Sequence, residues 1–457
     1  MIRRLLGKKI VRDTLVLQGT TLLQAAIYFL TSVLIANYLG KAGLGRWDFA
    51  RSLFLFAFFL VTMGVGNATV ARYSLALAEQ DRKRCIDALS SLLKLGSVAF
   101  VAVVTLGWWL LPLLSDWWTA DAEVGHIAWI LCTAGLFEVV RTLTQAALIG
   151  ARQMMAFARF DATINVARLL MIVAVVKWTA LGLPGGEPGI MGIAWVFVAN
   201  LVFGGVLGLW AYRRAQVTVE QKLAPPPLGE VLAAVPGSSL RGLSNVSFVL
   251  GLNKGLNDLL PRYGSILIAG YSFEDNGAYS VAFVISWGLA QLVGGVNRAL
   301  LPALGFKIGN SGVPFEKLGR VFLRVTLASG LLFAVVTGLS IPLVPWVLGA
   351  FYEADFAESY GLFLGLVLGN FFIGFGAVIE PFYLYAGRLK AFTAWNLAWC
   401  TLWVLATTAV SRHIGPKGVA VAVGCLRLFV IFHLVYIWRY FLRARTEGQT
   451  GGPSPPS

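Results

Sequence analysis

Charged residues are scarce in this chain. They make up 13% of its 457 residues, whereas a soluble domain carries about 25%. Hydrophobic residues make up 58%, which is more apolar surface than a water-soluble core could bury. A membrane span needs about 20 apolar residues. We therefore predict an all-α polytopic membrane protein with about 12 transmembrane helices.

The chain also has few residues that could build a reactive or metal centre. Its four cysteines form no CxxC pair, its three histidines are far apart, and the phosphate-loop pattern G-x-x-x-x-G-K-[ST] does not occur. These residues are Cys85, Cys132, Cys400, Cys425, His126, His413 and His433. We expect no disulfide, no metal, no cofactor and no ATP hydrolysis. The loops are too short for a separate catalytic domain, so we expect a protein that is not an enzyme.

Twelve apolar segments follow one another along the sequence, and the longest loop divides them into two sets of six. The segments lie near 14–38, 47–76, 86–114, 124–149, 158–181, 189–212, 237–268, 277–304, 318–348, 360–386, 390–410 and 417–442. The predicted units are a six-helix lobe at 1–212, a cytoplasmic linker at 213–236, a second six-helix lobe at 237–442 and a disordered cytoplasmic tail at 443–457. The prediction of a disordered tail comes from its abundance of Gly, Pro and Ser.

Basic loop residues lie mostly on one side of the predicted spans: 21 lie there, against four (Lys41, Arg46, Arg412 and Lys417) on the other side, where acidic residues predominate. The loops on the side of the N-terminus carry Arg3, Arg4, Lys8, Lys9, Arg12, Arg82, Lys83, Arg84, Arg152, Arg159, Arg213, Arg214, Lys222, Lys307, Lys317, Arg320, Arg388, Lys390, Arg439, Arg443 and Arg445. The opposite loops carry Asp116, Asp121, Glu123, Glu187, Glu274, Asp275, Glu353, Asp355 and Glu358. We name these two sides the basic end and the acidic end. The positive-inside rule places the basic end and both termini in the cytoplasm.

A short sequence occurs once in each half. Residues 34–38 read LIANY and residues 267–271 read LIAGY, and each copy is followed by a turn with a glycine, Gly45 or Gly277. Six spans per half is an even number, so both halves enter the membrane from the same side. The repeat therefore predicts two six-helix bundles related by a pseudo-two-fold axis along the membrane normal.

The seventh span has the most polar residues inside the membrane. Lys254, Asp258 and Arg262 are spaced four residues apart and share one helix face. Two interpretations are open: a ladder that neutralises itself, or a cationic stripe that faces a cavity. Asn257 lies on the same helix, and Pro261 is expected to distort it. The matching first span carries only uncharged polar residues.

Other polar residues inside the spans are candidates for binding or ion coupling, because burying a charge in hydrocarbon is costly. The substrate-binding candidates are Arg51, Lys254, Asn257, Asp258, Arg262, Gln18, Gln24 and Arg298. Arg298 is close enough to the basic end to extend to the interface instead. The candidates for proton or sodium coupling are Glu138, Asp258 and Glu380. Glu138 can also form a structural ion pair with Arg141, three residues on.

Three segments carry a resemblance to a known family. They read SVLIANYLGKAGLGRWDFARSLF, SILIAGYSFEDNGAYSVAFV and PLVPWVLGAFYEADFAESY. They resemble Wzx-like polysaccharide biosynthesis flippases, for O-antigen or exopolysaccharide, of the multidrug/oligosaccharidyl-lipid/polysaccharide exporter superfamily. The resemblance implies two bundles in a V shape with spans 1, 2, 7 and 8 around the cavity. It also implies that an undecaprenyl-diphosphate-linked oligosaccharide moves from the inner to the outer leaflet by alternating access, as secondary transport. In related lipid II flippases span 1 carries basic residues, whereas here it does not.

The expected partners follow from this resemblance: a lipid-linked oligosaccharide substrate, membrane lipids and, as a candidate, a glycan polymerase. We expect a monomer in the bacterial cytoplasmic membrane. Nucleic acid is not expected despite the net charge of +15, because the charge lies in short loops. A cation-coupled multidrug exporter of the same superfamily is the alternative, and it typically needs an acidic cavity. A membrane glycan polymerase or ligase would show a large outer loop or an acidic motif, and Asp116, Asp121 and Glu123 form no DxD pattern.

Overall fold

The apolar segments fold into helices. The computed structural model describes residues 8–62, 65–151, 153–180, 189–217, 225–234, 253, 259–290 and 318–449. The helices of the first half are α1 Lys8–Thr62, α2 Val65–Ala78, α3 Arg82–Thr119, α4 Ala122–Thr133, α5 Gly135–Gly150, α6 Met154–Ala180, α7 Gly189–Val217 and α8 Leu228–Ala233. Those of the second half are α9 Leu259–Ala269, α10 at 273–290, α11 Gly319–Phe351, α12 Ser359–Ile373, α13 Ile379–Tyr385, α14 Leu389–Cys425 and α15 Phe429–Gln449.

The helices are long and apolar enough for a multi-pass membrane protein. By length and composition, the described part has six membrane-spanning candidates, or seven if α4 and α5 count as one bent span. Two of these candidates involve α1 and α14, each of which is broken by a glycine in the left-handed region. Gly40 has φ +67° and Gly415 has φ +69°. Only glycine adopts this conformation without a steric cost, so each break turns one continuous helix into two segments.

Three predicted spans are present but bent. The span predicted at 124–149 is divided at Ala134 into α4 and α5, which meet at 45°. The spans predicted at 360–386 and 417–442 each contain a short 3₁₀ segment, Gly374–Val378 and Leu426–Leu428. Hydropathy averages over a window and does not register a local change of helix type, so it could not predict these bends.

The predicted linker and tail are more helical than expected. The linker contains the short helix α8, and α7 continues into the linker as far as Val217. Helix α15 runs to Gln449, seven residues into the segment predicted to be disordered. Residues 443–449 read RARTEGQ, and Arg, Ala, Glu and Gln all have high helix propensity. The helix therefore continues beyond the apolar stretch. Residues 450–457 lie outside the described part.

The linker helix is held against the first lobe. Arg82 forms an ion pair with Glu230 of α8, with 2.9 Å between Nη2 and Oε1. The carbonyl oxygen of Ala234 accepts hydrogen bonds from Ser90 and Lys94 of α3. These contacts fix where the chain leaves the first lobe and so limit where the second lobe can begin.

The two halves meet at the acidic end through the glycines of the repeat. A Cβ atom at Gly45 would overlap the carbonyl oxygen of Phe273, and one at Gly277 would overlap that of Lys41. The two contacts are reciprocal: each half places its glycine against the turn of the other, as expected near a pseudo-two-fold axis. Asn276 donates to the carbonyl oxygen of Gly45 at 2.7 Å. We call this region the acidic-end contact.

Candidate functional site

A tyrosine hydroxyl joins one arginine from each half. Tyr28 lies on α1, Arg51 on the second segment of α1, and Arg262 on α9. The Tyr28 hydroxyl accepts hydrogen bonds from Arg51 Nη1 at 2.6 Å and from Arg262 Nη2 at 3.1 Å. The Arg51 guanidinium also lies over the Tyr28 ring, 5.0 Å from its centroid. Arg51 and Arg262, both predicted binding residues, therefore share one acceptor although they are 211 positions apart in sequence.

Arg262 is neutralised by a carboxylate of the other half. Its Nη1 lies 2.9 Å from Asp48 Oδ1, and the two side chains are 6% and 3% exposed. Ser265 donates to Asp48 Oδ2 at 2.8 Å and lies 2.8 Å from Asn276 Oδ1. Asn276 is itself bound to Gly45 in the acidic-end contact. The ion pair thus belongs to a hydrogen-bond network that closes this end of the molecule.

A third arginine, Arg168 of α6, approaches the same tyrosine. Its guanidinium lies 6.0 Å from the Tyr28 ring centroid and 5.8 Å from that of Phe197 on α7, which also lies 5.9 Å from the Arg51 guanidinium. Arg168 donates to Asn165 at 3.0 Å, and Asn165 in turn donates to Asp161. Two aromatic faces therefore hold two guanidinium groups in place.

The three arginines have an excess of positive charge. In the part of the chain that the structure describes, no carboxylate forms an ion pair with Arg51 or Arg168, whereas Arg262 is paired with Asp48. A small recess with a volume of about 20 Å³ lies beside Arg51. It is lined by Tyr28, Thr31, Ser32, Ile35, Leu44, Trp47, Asp48, Arg51, Phe197, Ser280 and Val284. We call Arg51, Arg168 and Arg262 the arginine cluster. Its chemistry suits an anion with several oxygen atoms, because planar guanidinium groups donate in pairs to phosphate or carboxylate.

Some of the predicted site residues lie near the cluster and others do not. Gln24 is one helical turn from Tyr28, and Gln18 is about 15 Å from it along α1 towards the basic end. Glu138 forms an ion pair with Arg141, which is the structural pairing that its spacing allowed. Glu380 is half-buried in the first turn of α13. Lys254, Asn257, Asp258 and Arg298 lie outside the described residues.

Sequence reasoning missed several members of the site. Asp48, Tyr28 and Arg168 were visible as polar residues inside spans, but nothing in the sequence paired them. Trp118 also makes a contact between the halves that the sequence did not indicate. Trp108, Trp109 and Trp117 are exposed, whereas Trp118 donates to the carbonyl oxygen of Ile266 at 2.7 Å across the two halves.

Solved structures similar to this chain include MATE transporters. The chain matches the MATE multidrug transporter DinF-BH, with a TM-score of 0.74 and 14% identity over 95% of each chain. It matches a MATE protein in complex with MaL6, with a TM-score of 0.73 and 13% identity over 97% of this chain and 99% of that one. It matches an outward-facing MATE family transporter of the MOP superfamily, with a TM-score of 0.71 and 14% identity over 97% and 98%.

These likenesses define the class: an all-α polytopic membrane protein with the MATE fold, in which about twelve transmembrane helices form two bundles. The predicted fold class is confirmed. The family model of the polysaccharide biosynthesis proteins matches residues 10–305, and the chain belongs to that family. No curated protein matches its sequence.

Proposed function

We propose that the protein is a flippase that moves a diphosphate-linked oligosaccharide lipid across the bacterial cytoplasmic membrane. The observation that carries this proposal is the arginine cluster, in which two half-buried guanidinium groups have no carboxylate partner among the described residues. A charge inside a membrane is costly unless it faces a partner or a cavity. Membership of the polysaccharide biosynthesis family supports a glycan-bearing cargo.

The diphosphate of such a lipid would bind to the cluster through its oxygen atoms. A diphosphate diester carries two negative charges, which suits the two arginines that no described carboxylate neutralises. Arg262 would exchange Asp48 for a phosphate oxygen, because a guanidinium binds either anion with the same paired geometry. That exchange would remove the ion pair from the acidic-end contact.

The orientation follows from the charged loops. The positive-inside rule puts the basic end in the cytoplasm and the acidic end outside. In this orientation the acidic-end contact closes the outer side. Transport would require the halves to separate there once the headgroup has bound, which is alternating access by movement of one bundle against the other.

Alanine substitutions in the cluster test the site. In a strain that needs this protein for glycan export, Arg51→Ala, Arg168→Ala and Arg262→Ala are each expected to lower export at least about tenfold, since a hydrogen bond to a charged group contributes roughly 1.5–3 kcal/mol. Lys254→Ala tests the other cationic residue predicted on the seventh span. The matched control is Arg412→Ala, an exposed arginine at the acidic end. Normal export by all three cluster variants, at normal protein level, would reject the assignment.

A second candidate function is suggested by the solved structures. Several of the similar proteins are multidrug transporters by their descriptions. A cationic drug would meet repulsion at the arginine cluster, so an exporter on this scaffold would have to carry anionic or neutral compounds. Efflux of dyes and drugs from a strain without its own pumps distinguishes the two functions. Export of anionic or neutral compounds, without any effect on glycan export, would favour this alternative.

A further inference from the structure

A chain of buried polar side chains crosses the second lobe, away from the arginine cluster. It connects Tyr383 of α13, His433 of α15, Asn396 and Thr393 of α14, and Asn253 of the predicted seventh span. His433 lies 3.0 Å from the Tyr383 hydroxyl through Nδ1 and 3.2 Å from Asn396 Oδ1 through Nε2. Asn396 donates to Asn253 Oδ1 at 2.6 Å, and Asn253 donates to Thr393 at 2.7 Å. The proposed transport step uses none of these residues.

The direction of the hydrogen bonds is set at one end by a backbone carbonyl. The carbonyl oxygen of Leu389 can only accept, so Thr393 donates to it, at 3.0 Å. Thr393 must then accept from the amide nitrogen of Asn253, whose oxygen accepts from the amide nitrogen of Asn396. The amide oxygen of Asn396 is left to face the histidine. Every donor in this series of hydrogen bonds points the same way.

This direction assigns the tautomer of His433. Since Asn396 Oδ1 can only accept, Nε2 of the ring carries the hydrogen. In the neutral ring Nδ1 then holds a lone pair, which accepts the hydrogen of the Tyr383 hydroxyl. Nδ1, the basic nitrogen of His433, is therefore hydrogen-bonded to the Tyr383 hydroxyl. This hydroxyl can rotate, and its oxygen can accept a hydrogen bond as well as donate one.

The ring of His433 is enclosed by aromatic side chains. His433 is 3% exposed, and its ring centroid lies 4.4 Å from that of Phe429, 5.2 Å from Phe392 and 6.0 Å from Phe432. Tyr383, fully buried, is stacked on Phe392 at 4.6 Å. An imidazolium in this place would be stabilised only if both ring nitrogens find acceptors. Rotation of the Tyr383 hydroxyl supplies the second acceptor.

Few other titratable groups of the described elements face the ring. Tyr383 on α13 contacts it directly, and Tyr436 on α15 stacks on Tyr383. On α13, Glu380 lies nearly one turn before Tyr383, and Arg427 precedes α15 by two residues. Helix α14 presents Asn396 and Phe392 to the ring. At the basic end, Arg388 directly precedes this helix and Lys390 lies in its first turn. Helix α11 packs through Phe322 on Phe382 and Phe441. On the seventh span, Asn253 is described, whereas Lys254 and Asp258 are not.

The network reaches the same span that carries the outer ion pair. Asn253 and Arg262 both belong to the predicted span 237–268, nine residues apart. A change at His433 that alters the Asn396–Asn253 contact therefore acts on the predicted span to which Arg262 also belongs.

We propose that His433 is a proton-binding site whose occupancy controls the acidic-end contact. A hydronium ion gives its proton to Nδ1 and leaves as water, which converts the imidazole to imidazolium, and the Tyr383 hydroxyl turns from donor to acceptor. No bond other than this N–H is formed. The hydrogen bond from Nε2–H to Asn396 becomes stronger, and this alters the hydrogen bond between Asn396 and Asn253. The predicted seventh span connects Asn253 to Arg262. This inference rests on the proposed transport function. It assigns the proton as the ion whose binding separates the two halves.

Nitrogen NMR of a single-histidine protein measures the protonation directly. His126→Asn and His413→Asn replace two exposed histidines and leave His433 as the remaining one. In phosphatidylethanolamine and phosphatidylglycerol vesicles, we expect the Nε2–H tautomer at about pH 8 and two protonated nitrogens once the pH is lowered to about 4. Tyr383→Phe is expected to move the midpoint by about one pH unit, since it removes one hydrogen bond from Nδ1. A ring that stays neutral throughout this range, or an Nδ1–H tautomer, overturns the proposal.

Distance measurements connect this protonation to the acidic-end contact. Spin labels at Ala42→Cys and Ala357→Cys, both exposed, stand on the two halves of that end. Their separation is expected to increase on acidification with the midpoint found by NMR. The His433→Gln variant should lose the pH dependence, and the matched His413→Gln variant should keep it. Unchanged pH dependence in His433→Gln, or none in the native sequence, overturns the coupling.

These two measurements need no lipid-linked substrate. Failure of the glycan-export test would therefore leave the protonation of His433 and its effect on distance measurable. In the same way, an unresponsive His433 would leave the role of the arginine cluster intact. The proposal and the proposed function can fail separately.

Discussion

The Asp48 carboxylate forms its ion pair with Arg262 away from water. Both side chains are nearly fully buried, and the ion pair joins the two halves. Breaking a buried pair from one side costs about 3–5 kcal/mol, because it leaves an uncompensated charge. An anionic ligand that replaced the carboxylate would spare Arg262 this cost. Asp48 is therefore the internal counter-ion of Arg262, and under the proposed function an external anion would take its place.

Asp48→Asn is expected to open the acidic end. Accessibility can be followed by a membrane-impermeant maleimide at Ser280→Cys, a buried position in the recess, after the four native cysteines are replaced by alanine. A loss of about 3 kcal/mol from the closed state corresponds to labelling about 100 times faster. The cause is the unpaired charge of Arg262, which needs water once the carboxylate is neutral.

The control for this substitution is an ion pair of the same type at the same end. Arg46 and Asp121 both belong to the first half, with 3.4 Å between Nε and Oδ2, and Arg46 is 47% exposed. An exposed pair contributes about 0–1 kcal/mol. Asp121→Asn should therefore change the labelling rate only severalfold. Equal effects of the two substitutions would show that the buried pair does not hold the halves together.

At the level of the helices, the acidic-end contact depends on glycines. Gly45 and Gly277 each press against a backbone carbonyl of the other half, so close that a Cβ atom would overlap it. The repeat in the sequence had marked these glycines as equivalent, but only the structure shows that each one touches the turn of its counterpart. Backbone atoms cannot move aside as a flexible side chain can, which makes this a steric requirement.

Gly45→Ala and Gly277→Ala are expected to prevent full closure of the acidic end. Each added methyl group would overlap a carbonyl oxygen and must push the halves apart. The labels at Ala42 and Ala357 should report a longer distance in either variant. Gly349→Ala is the matched control, because nothing lies within 4 Å of its Cβ position in α11. An unchanged distance in both repeat variants would contradict the steric account.

Helix breaks were predictable only in part. Gly40 and Gly415 fall where hydropathy drops and loops were expected, so both turns agree with the predicted spans. The bend at Ala134 and the 3₁₀ segments of the later spans have no such signal, since the apolar character continues through them. Their positions depend on packing against neighbouring helices, and a single sequence does not contain that information in readable form.

For the molecule as a whole, the sequence predicted the fold class, and it included Arg51 and Arg262 among candidates that the structure places on one tyrosine. It did so because hydropathy and loop charge are properties of short segments. The partners could not be predicted in the same way: Asp48 and Arg262 are 214 positions apart, and Asn253 and Asn396 are 143 apart. Pairing at such distances is set by how the two bundles dock. For this reason neither interpretation of span 7, the neutral ladder or the cationic stripe, included Asp48 as a partner of Arg262.

Separation of the halves at the acidic end is the movement that the proposed transport requires, and a covalent bridge can prevent it. Lys41 of the first half and Glu358 of the second form an ion pair there. In Lys41→Cys/Glu358→Cys, a short bifunctional methanethiosulfonate should join the halves and stop glycan export, and reduction should restore it. The matched control is Arg46→Cys/Asp121→Cys, a neighbouring pair within the first half, which the same reagent can join without linking the bundles. Export that continues in the cross-linked Lys41/Glu358 variant would show that the halves need not separate at this end, and it would remove the mechanical role assigned to Asp48 and Arg262.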